Sequence, residues 1–358
     1  IAFLVAVFMG WIITPQILLV AFRKRLFDSV GGRKTHSGIV PRLGGVVFVP
    51  VQCFLLVLSM FFMYKLEITS YLQDPFIPFQ FLLLMIGLLI LNMVGVIDDL
   101  IRINYRRKFV AQIVPLSGLW INDLYGLLGI TTLSPWIGMP LTVFVAVFII
   151  NAVNLIDGID GLCSGLVGMG ALVFGFLFIY NAAWLHAVFA FITAGVLCPF
   201  FYYNVFGKSK GRQRIFMGDT GSLTLGLSMA FLAISYAMNN PLIKPFSEGA
   251  IVVSFATLIV PLFDVVRVVR IRYFQHKPLF MPDQNHIHHK FLRVGMSHYV
   301  AMILILALAL FFSFFNIVAV EYISNNIVIF IDIVLWIAFH LWLDRRELIR
   351  AKHGVANN

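Results

Sequence analysis

Asp98 and Asp99 are adjacent carboxylates at the end of an apolar stretch, in the sequence GVIDDL at 95–100. Two such carboxylates repel each other unless a positive group lies nearby. A divalent cation could supply that charge, and so could the basic cluster that follows, which is Arg102, Arg106, Arg107 and Lys108. A solvated acidic helix end is an equally good interpretation of this pair taken alone.

A second polar block, NAVNLIDGIDGL at 151–162, combines amides, carboxylates and glycines. Asn151, Asn154 and Asp157 recur at helical spacing, and two glycines allow a tight turn around Asp160. Polar side chains at membrane depth are costly and usually mark a polar path or a site. A helix-capping turn would explain one aspartate but not the whole block, which therefore indicates a site.

The block FMGDTGS at 216–222 precedes a long apolar stretch. Its glycines and unbonded backbone amides could meet a phosphate oxygen at a helix N-terminus, with Phe216 and Asp219 beside it. Asp219 could instead be a simple N-cap, which is the default for so short a motif. Its place on the same side as the other carboxylates favours the site.

Three histidines, His286, His288 and His289, lie within the block PDQNHIHHK at 282–290. A catalytic zinc site takes three protein ligands with an outer shell of their own, and neighbouring loop histidines rarely provide it. Imidazoles and a lysine facing a diphosphate are the better interpretation, with a solvated polar loop as the alternative. An earlier basic loop contains His36, which could contact an anion, although taken alone it resembles an ordinary basic loop.

Membrane-spanning helices must carry these blocks. With 61% hydrophobic and 12% charged residues, the chain has too little polar surface for a water-soluble globule of 358 residues. A helix crosses the hydrocarbon core in about 20 apolar residues, and an unsatisfied backbone amide there costs several kcal/mol. The sequence predicts an all-α, polytopic membrane protein with about 11 transmembrane helices. The predicted spans are 1–22, 43–63, 79–97, 109–126, 135–152, 162–180, 184–204, 222–240, 249–270, 298–318 and 325–343.

The distribution of charge predicts the orientation. Cytoplasmic loops retain Lys and Arg, and the predicted spans place all 26 of these residues except Lys65 and Lys244 on one side. The N-terminus is therefore expected outside and the C-terminus in the cytoplasm. The formal charge of +10, spread over short loops, suits anionic lipids and nucleotides and argues against nucleic acid as a partner. We expect one transmembrane domain, 1–358, with an active site formed by cytoplasmic loops at 23–42, 98–108, 151–161, 205–222 and 271–297.

Taken in chain order, the basic loop around His36 and the four blocks above resemble the polyprenyl-phosphate N-acetylhexosamine 1-phosphate transferases of glycosyltransferase family 4. The resemblance extends over about residues 31–296. Within that family, DGIDGL at 157–162, PLFD at 261–264 and HIHH at 286–289 look most like the branch that uses UDP-GlcNAc. The branch that uses UDP-MurNAc-pentapeptide carries three adjacent histidines and is the alternative, together with other UDP-HexNAc donors. Leu100 departs from the arginine frequent after the paired aspartates, and either Arg106 or Lys108 could fill the basic role.

The resemblance implies that an oxygen of undecaprenyl phosphate attacks the sugar-bearing phosphorus of UDP-GlcNAc and releases UMP, in one step or two. It implies Mg²⁺, with Mn²⁺ able to substitute, held by Asp99 and Asp219. Asp98 would orient or deprotonate the lipid phosphate, and Asp157 and Asp160 would be the further catalytic carboxylates, lining the nucleotide and metal pocket. The residues that the resemblance places around the substrates are Asn151, Asn154, Phe216 stacked on uracil, His286, His288, His289, Arg293, Lys108 and His36.

The resemblance also implies a multi-pass protein of the bacterial inner membrane, with the lipid bilayer as partner and the active site facing the cytoplasm. Its product would start a lipid-linked cell-envelope glycan, and a homodimer is left open. A membrane transporter is the alternative from another class, since polar groups inside spans also mark transport sites. Asp332 is the one carboxylate that we place deep in a predicted span, whereas the motif carboxylates gather at one face, which favours the enzyme.

Overall fold

The structure is a computed structural model that describes residues 1–24, 41–66, 76–113, 133–208, 213–238, 240–278 and 285–355, with side chains up to 350. The regular elements in those ranges are helical. They are α1 (Ala2–Arg23), a 3-10 helix (Leu43–Val47), α2 (Phe48–Lys65), α3 (Phe76–Ile101), α4 (Tyr105–Ile113), α5 (Pro135–Ile156), α6 (Leu162–Tyr180), α7 (Trp184–Val205), α8 (Gly218–Ala237), α9 (Ala250–Thr257), α10 (Ile259–Phe274), α11 (Ile287–Val294), α12 (His298–Ala319) and α13 (Asn325–Val355).

Within the described ranges, nine helical segments are long and apolar enough to cross a membrane, and the bent pair of α9 and α10 would be a tenth. These segments coincide with ten of the predicted spans, so the all-helical, membrane-spanning fold is confirmed. The fourth predicted span, 109–126, starts in α4, but 114–132 lie outside the described residues. The total of eleven spans and the orientation of the termini stay predictions.

α8 is the most completely buried of the described spans. It packs against α3, α5, α6, α9 and the 3-10 helix. Small residues allow this packing, because a Cβ at Gly95 of α3 would lie 2.4 Å from the Thr220 Cα, and one at Gly45 would lie 2.2 Å from the Gly221 Cα. The close approach fixes the N-terminal end of α8 between α3 and the 3-10 helix.

Polar side chains inside the bundle form hydrogen bonds between helices. Gln52 Nε2 of α2 donates to Thr193 Oγ1 of α7 at 2.9 Å and to Ser228 Oγ of α8 at 3.1 Å. Because the hydrocarbon core offers no water, such groups must find partners in the protein. These bonds hold α8 in register with α2 and α7.

The ninth predicted span, 249–270, is broken in the structure. α9 and α10 meet at Leu258 with a bend of 72°. Pro261, in the first turn of α10, has no backbone N–H to bond to the preceding turn, and its ring clashes with a straight helix. The bend turns α10 toward α11, the short helix that carries the histidines and that we call the histidine helix.

Several helices extend beyond the limits that hydropathy predicts, among them α3, α8 and α13. α3 continues to Ile101 and so includes both adjacent aspartates, and α8 starts at Gly218, which places Asp219 in its first turn. α13 continues to Val355. Polar residues that are predicted in loops therefore lie on helices, and the helix backbone fixes the direction of their side chains.

Candidate active site

Asp99, on the last turn of α3, binds the N-terminus of α8. Its Oδ1 accepts a hydrogen bond from the Asp219 amide at 2.9 Å, and its Oδ2 accepts from the Thr220 amide at 3.0 Å and the Thr220 hydroxyl at 2.6 Å. The first amides of a helix lack partners within the helix and carry the positive end of its dipole, so a carboxylate is stabilised there. From the sequence, the first amides of α8 are expected to be open to a phosphate. In the structure, two of them donate to Asp99 instead.

Lys108 lies between two carboxylates. Its Nζ donates to Asp98 Oδ2 at 2.6 Å and to Asp219 Oδ2 at 2.5 Å. Burial alone would lower the pKa of this ammonium, but the charges of Asp219 and Asp98 outweigh burial and raise the pKa above its usual value. Arg106 is exposed, and its guanidinium contacts the Tyr105 hydroxyl at 3.4 Å. Of the two basic candidates, Lys108 is therefore the one that neutralises the aspartates.

A reversal of the chain after α3 brings Lys108 to this position. Arg102 has a φ of 52°, and its amide donates to the Asp98 carbonyl at 2.9 Å. The Ile103 amide then donates to Asp98 Oδ1 at 2.7 Å. The side chain of Asp98 is thereby bonded on one oxygen to its own turn and on the other to α4.

The residues present fit a divalent cation held jointly by protein and substrate. Oxygens of Asp98 and Asp219 already converge on one positive group, and Asp99 Oδ1 accepts a single hydrogen bond, which leaves it a lone pair. Mg²⁺ binds one or two carboxylates and completes its shell with substrate phosphates and water. In the described part of the chain, no three His, Cys, Asp or Glu residues are grouped closely enough to hold a metal by themselves.

Asp157 follows the last residue of α5 and adds a fourth carboxylate to this group. Although its side chain remains partly exposed to solvent, lost hydration raises its pKa to about 7, together with the negative charges of Asp219 and Asp99 and against the effect of Arg42. At neutral pH this carboxyl group is therefore close to the midpoint of its titration and can hold or release a proton.

Two asparagines of α5 hold the helix against its neighbours. Asn154 Nδ2 donates to Ser222 Oγ of α8 at 2.7 Å, and it also bonds the Asp219 side chain. Asn151 Nδ2 donates to Gln112 Oε1 of α4 at 2.7 Å. The helical spacing that the sequence shows therefore aligns α5 with the two helices that carry Lys108 and Asp219.

Asp264 of α10 anchors the start of the histidine helix. Its Oδ2 lies 2.8 Å from His286 Nδ1, and its Oδ1 accepts from the Ile287 amide at 2.9 Å and from Arg267 Nη2 at 2.9 Å. The side chain is fully buried. In the sequence, Asp264 stands out only within the resembling segment PLFD, and Asp332 is the one carboxylate predicted deep in a span. A carboxylate inside a predicted apolar span was the signal that could have identified Asp264.

His288 joins the histidine helix to the carboxylate group. A Cβ at Gly158, the residue after Asp157, would lie 2.3 Å from His288 Nε2, so a glycine is required for this contact. Burial, with the neighbouring His289 and His286, lowers the pKa of His288 to about 3, and the imidazole is neutral at pH 7. Among the described residues, neither of its ring nitrogens has a hydrogen-bond partner. Both nitrogens are buried, and a neutral imidazole offers one donor and one acceptor to any group that reaches the ring.

The paired aspartates, Lys108, Asp157 and Asp219 lie within a segment that matches a family of known enzymes. The sequence profile of Glycosyl transferase family 4 matches residues 81–237, which include the paired aspartates, Lys108, Asp157 and Asp219. A probable undecaprenyl-phosphate N-acetylglucosaminyl 1-phosphate transferase of Bacillus subtilis (strain 168) is 29% identical over 321 residues, which are 87% of this chain and 82% of that protein. Over this segment the chain is thus similar to glycosyl transferase family 4.

Further relatives show a comparable likeness over most of their length. The undecaprenyl-phosphate alpha-N-acetylglucosaminyl 1-phosphate transferase of Yersinia pestis is 29% identical over 296 residues, 80% of this chain and 74% of that protein. The enzyme of the same name from Escherichia coli (strain K12) is 27% identical over 357 residues, 95% of this chain and 90% of that protein. The expectation of a membrane-bound phosphoglycosyl transferase is thus confirmed, and the transporter alternative is not supported.

The other predicted site residues have protein partners. Asp160 forms an ion pair with Arg214, whose guanidinium carbon lies 5.8 Å from the centre of the Phe216 ring. Arg293 Nε donates to Glu347 Oε1 of α13 at 2.7 Å. Substrate roles for Asp160, Phe216 and Arg293 stay predictions, and His36 lies outside the described residues.

The structure therefore groups the predicted residues into two adjoining sets. The first, which we call the carboxylate group, is Asp98, Asp99, Lys108, Asn154, Asp157 and Asp219. The second is His286, His288 and His289 on the histidine helix, where the rings of His288 and His289 lie 4.2 Å apart between centroids. The two sets meet at Gly158.

Proposed function

We propose that this protein transfers GlcNAc-1-phosphate from UDP-GlcNAc to undecaprenyl phosphate, giving undecaprenyl-diphospho-GlcNAc and UMP. The observation that carries the proposal is the Lys108 ammonium held between Asp98 and Asp219 beside Asp157 and the neutral His288. The match to the family profile and the names of the relatives support the choice of substrates.

In this reaction an oxygen of the lipid phosphate forms a bond to the β-phosphorus of UDP-GlcNAc, and the bond from that phosphorus to the oxygen of the α-phosphate breaks. Two anions must approach each other, so positive charge has to be placed before they meet. A bound Mg²⁺, for which Mn²⁺ could substitute, would neutralise phosphate oxygens as their charge develops, held by Asp99 and Asp219 with Asp98 near it.

The chain's own residues supply orientation and charge. Lys108 bonds one oxygen of Asp98 and one oxygen of Asp219 and so holds the two carboxylates side by side. Asp98 would orient the lipid phosphate and accept its proton, and Asp157, with a pKa near 7, is a second acceptor for a proton at neutral pH. His288 would donate to or accept from the sugar nucleotide without adding charge.

The two substrates reach this site from different phases. The acceptor has a long apolar tail, which requires a path between helices open to the bilayer, whereas UDP-GlcNAc arrives from water. We place the site on the cytoplasmic face of a bacterial inner membrane, since nearly all the Lys and Arg residues lie on that side of the predicted topology. The donor would contact residues 282–293, which include most of the histidine helix and the segment before it.

The experiment that tests donor choice is release of UMP by the purified protein with undecaprenyl phosphate and Mg²⁺. UDP-GlcNAc, UDP-GalNAc and UDP-MurNAc-pentapeptide are compared at equal concentration. The proposal predicts the highest kcat/KM with UDP-GlcNAc. A preference for UDP-MurNAc-pentapeptide would contradict the assigned donor while leaving the chemistry intact, and no UMP release with any donor would contradict the chemistry itself.

A further inference from the structure

The C-terminal end of α13 contacts the histidine helix at several points. Lys290 Nζ lies 2.5 Å from Asp344 Oδ1, and Arg293 Nε donates to Glu347 Oε1 at 2.7 Å. The guanidinium of Arg350 lies directly over the backbone of Gly295 at the end of the histidine helix, where an added Cβ would overlap it. These contacts come from a part of the chain beyond the segment that the family profile matches.

On the side away from α13, the histidine helix contacts α10 and the candidate active site. Its start is bonded to α10, since Asp264 holds His286 and the Ile287 amide. Its buried His288 lies against Gly158, next to the carboxylate group. The histidine helix is therefore a bridge between the site on one side and α13 on the other.

So short a helix does not hold its position by itself. The histidine helix has eight residues, whereas isolated helices shorter than about 12 residues are marginal in water. Tertiary contacts therefore set the position of the histidine helix, and the two ion pairs to α13 are among these contacts. Aromatic packing adds to them, with ring centroids of Phe291 and Phe339 6.0 Å apart.

We propose that the cytoplasmic end of α13 is a positioning element of the donor site, in which Asp344 and Glu347 hold the histidine helix so that His288 faces Gly158. This inference rests on the proposed function, because the histidine helix is taken to bind the sugar nucleotide. It assigns Arg293 to Glu347 rather than to the substrate. Asp344 and Glu347 are positioning residues, which act on the donor only through the histidine helix.

The two ion pairs differ in weight. The Lys290 side chain is 9% exposed and that of Asp344 is 50% exposed, so this pair is buried on the lysine side. Loss of Asp344 leaves the ammonium near Arg267 with His340 Nδ1, 3.5 Å away, as a weaker and uncharged contact. The Arg293 and Glu347 side chains are 40% and 33% exposed, and exposed pairs contribute little. The larger effect is therefore expected at Asp344.

The test measures steady-state kinetics of Asp344→Asn and Glu347→Gln with UDP-GlcNAc and undecaprenyl phosphate. We expect Asp344→Asn to raise the KM for UDP-GlcNAc by about 3- to 10-fold, and Glu347→Gln by less, with saturation by undecaprenyl phosphate unchanged. The sign is informative, because removing negative charge near an anionic donor would by itself lower that KM. Arg345→Gln is the matched control, since Arg345 is exposed on the same turn and forms no ion pair with the histidine helix among the described residues.

A charge exchange tests the role of Arg293. If Arg293 acts through Glu347, the double variant Arg293→Glu with Glu347→Arg should recover at least half of the kcat/KM that the single variant Arg293→Glu loses. If Arg293 instead binds the donor directly, the double variant should stay as impaired as the single one, and the assignment to Glu347 would be overturned.

Hydrogen exchange separates this inference from the proposed function, since it needs no substrate. In the full-length protein in detergent, Asp344→Asn should increase amide exchange within 287–294 while exchange in α8 stays unchanged. Unchanged exchange at 287–294 together with an unchanged KM would overturn the inference. If the wild-type protein turns over no UDP-GlcNAc, the proposed function fails, and the exchange measurement still decides whether α13 holds the histidine helix.

Discussion

At the scale of single residues, neighbouring carboxylates of the site have different partners and therefore different consequences when changed. Asp99 is bonded to backbone amides of α8, whereas Asp219 is bonded to the ammonium of Lys108. A carboxylate at a helix N-terminus stabilises the fold, and a carboxylate paired with a cation inside a site stabilises charge. The same substitution in the two residues should thus separate stability from catalysis.

We predict that Asp219→Asn lowers turnover at least about 100-fold with folding intact, because electrostatic contributions to such a reaction are of that order. Asp99→Asn should lower turnover as much and also cost about 1 kcal/mol of stability, since an amide group can turn a donor toward the α8 amides. Turnover and thermal unfolding of both variants are the measurements. Wild-type turnover in Asp219→Asn would remove that residue from the site, and equal unfolding temperatures would contradict the role of Asp99 as a cap.

Asp157 should make the stability of the protein depend on pH. Its pKa of about 7 in the folded chain exceeds the ordinary value of 3.8, so between these values the folded state holds a proton that the unfolded state releases. The stability that the group contributes is complete below the ordinary pKa and is lost as the pH rises through about 7. In metal-free buffer, the unfolding temperature of wild type relative to Asp157→Asn should therefore fall between about pH 5 and pH 8. A difference that does not change with pH would contradict the shifted pKa.

At the scale of elements, the contact between the histidine helix and the turn after α5 defines the donor site. A methyl group at Gly158 would overlap the His288 ring, whereas one at Gly168 of α6 would meet no atom closer than the Leu197 Cδ1 at 3.9 Å. Gly158→Ala should therefore displace the histidine helix, and Gly168→Ala is a control with the same chemical change.

We predict that Gly158→Ala and His288→Ala each raise the KM for UDP-GlcNAc or lower kcat, with saturation by undecaprenyl phosphate nearly unchanged. Gly168→Ala should leave both substrates unaffected. Kinetics with each substrate varied in turn provide the comparison. If His288→Ala changed the lipid kinetics and spared UDP-GlcNAc, the placement of the two substrates would be reversed.

The membrane-spanning helices could be predicted from hydropathy, because an apolar stretch of about 20 residues has few alternatives in a bilayer. The histidine helix could not, because its segment was predicted as part of the loop at 271–297. Contacts between elements that are distant in sequence could not be predicted in this way. The spacing of Asp98 and Lys108 leaves Arg106 equally eligible, and only the reversal at Arg102 decides between them. Similarly, the bend at Leu258 brings Asp264 to His286, which no local pattern indicates.

At the scale of the whole molecule, polar groups inside the bundle divide into those of the site and those that join helices. Asp332 of α13 is buried, and its Oδ1 accepts from Asn316 Nδ2 of α12 at 3.1 Å. In the described part of the chain, neither residue is bonded to the carboxylate group or the histidine helix. This pair therefore belongs to the packing of α12 on α13.

We expect Asp332→Asn to change expression level or thermal stability before it changes the dependence of the rate on Mg²⁺. The reason is that the pair joins two helices and has no bond to the residues that surround the reacting phosphates. Metal titration of the rate in the purified variant, alongside thermal unfolding, checks this. A shifted Mg²⁺ dependence in a variant of unchanged stability would place Asp332 in the function rather than in the packing.

The proposed reaction moves one phosphorus atom from the nucleotide sugar to the lipid. The direct measurement uses UDP-GlcNAc labelled with ³²P in the β-phosphate, undecaprenyl phosphate, Mg²⁺ and the purified protein, with lipid and water-soluble products separated. We predict that the label enters the lipid fraction in a 1:1 ratio with released UMP. Asp219→Asn should lower both the lipid label and the UMP release by at least about 100-fold. Label that remains in water-soluble products, as UDP or inorganic phosphate, while UDP-GlcNAc is consumed would contradict the proposed reaction.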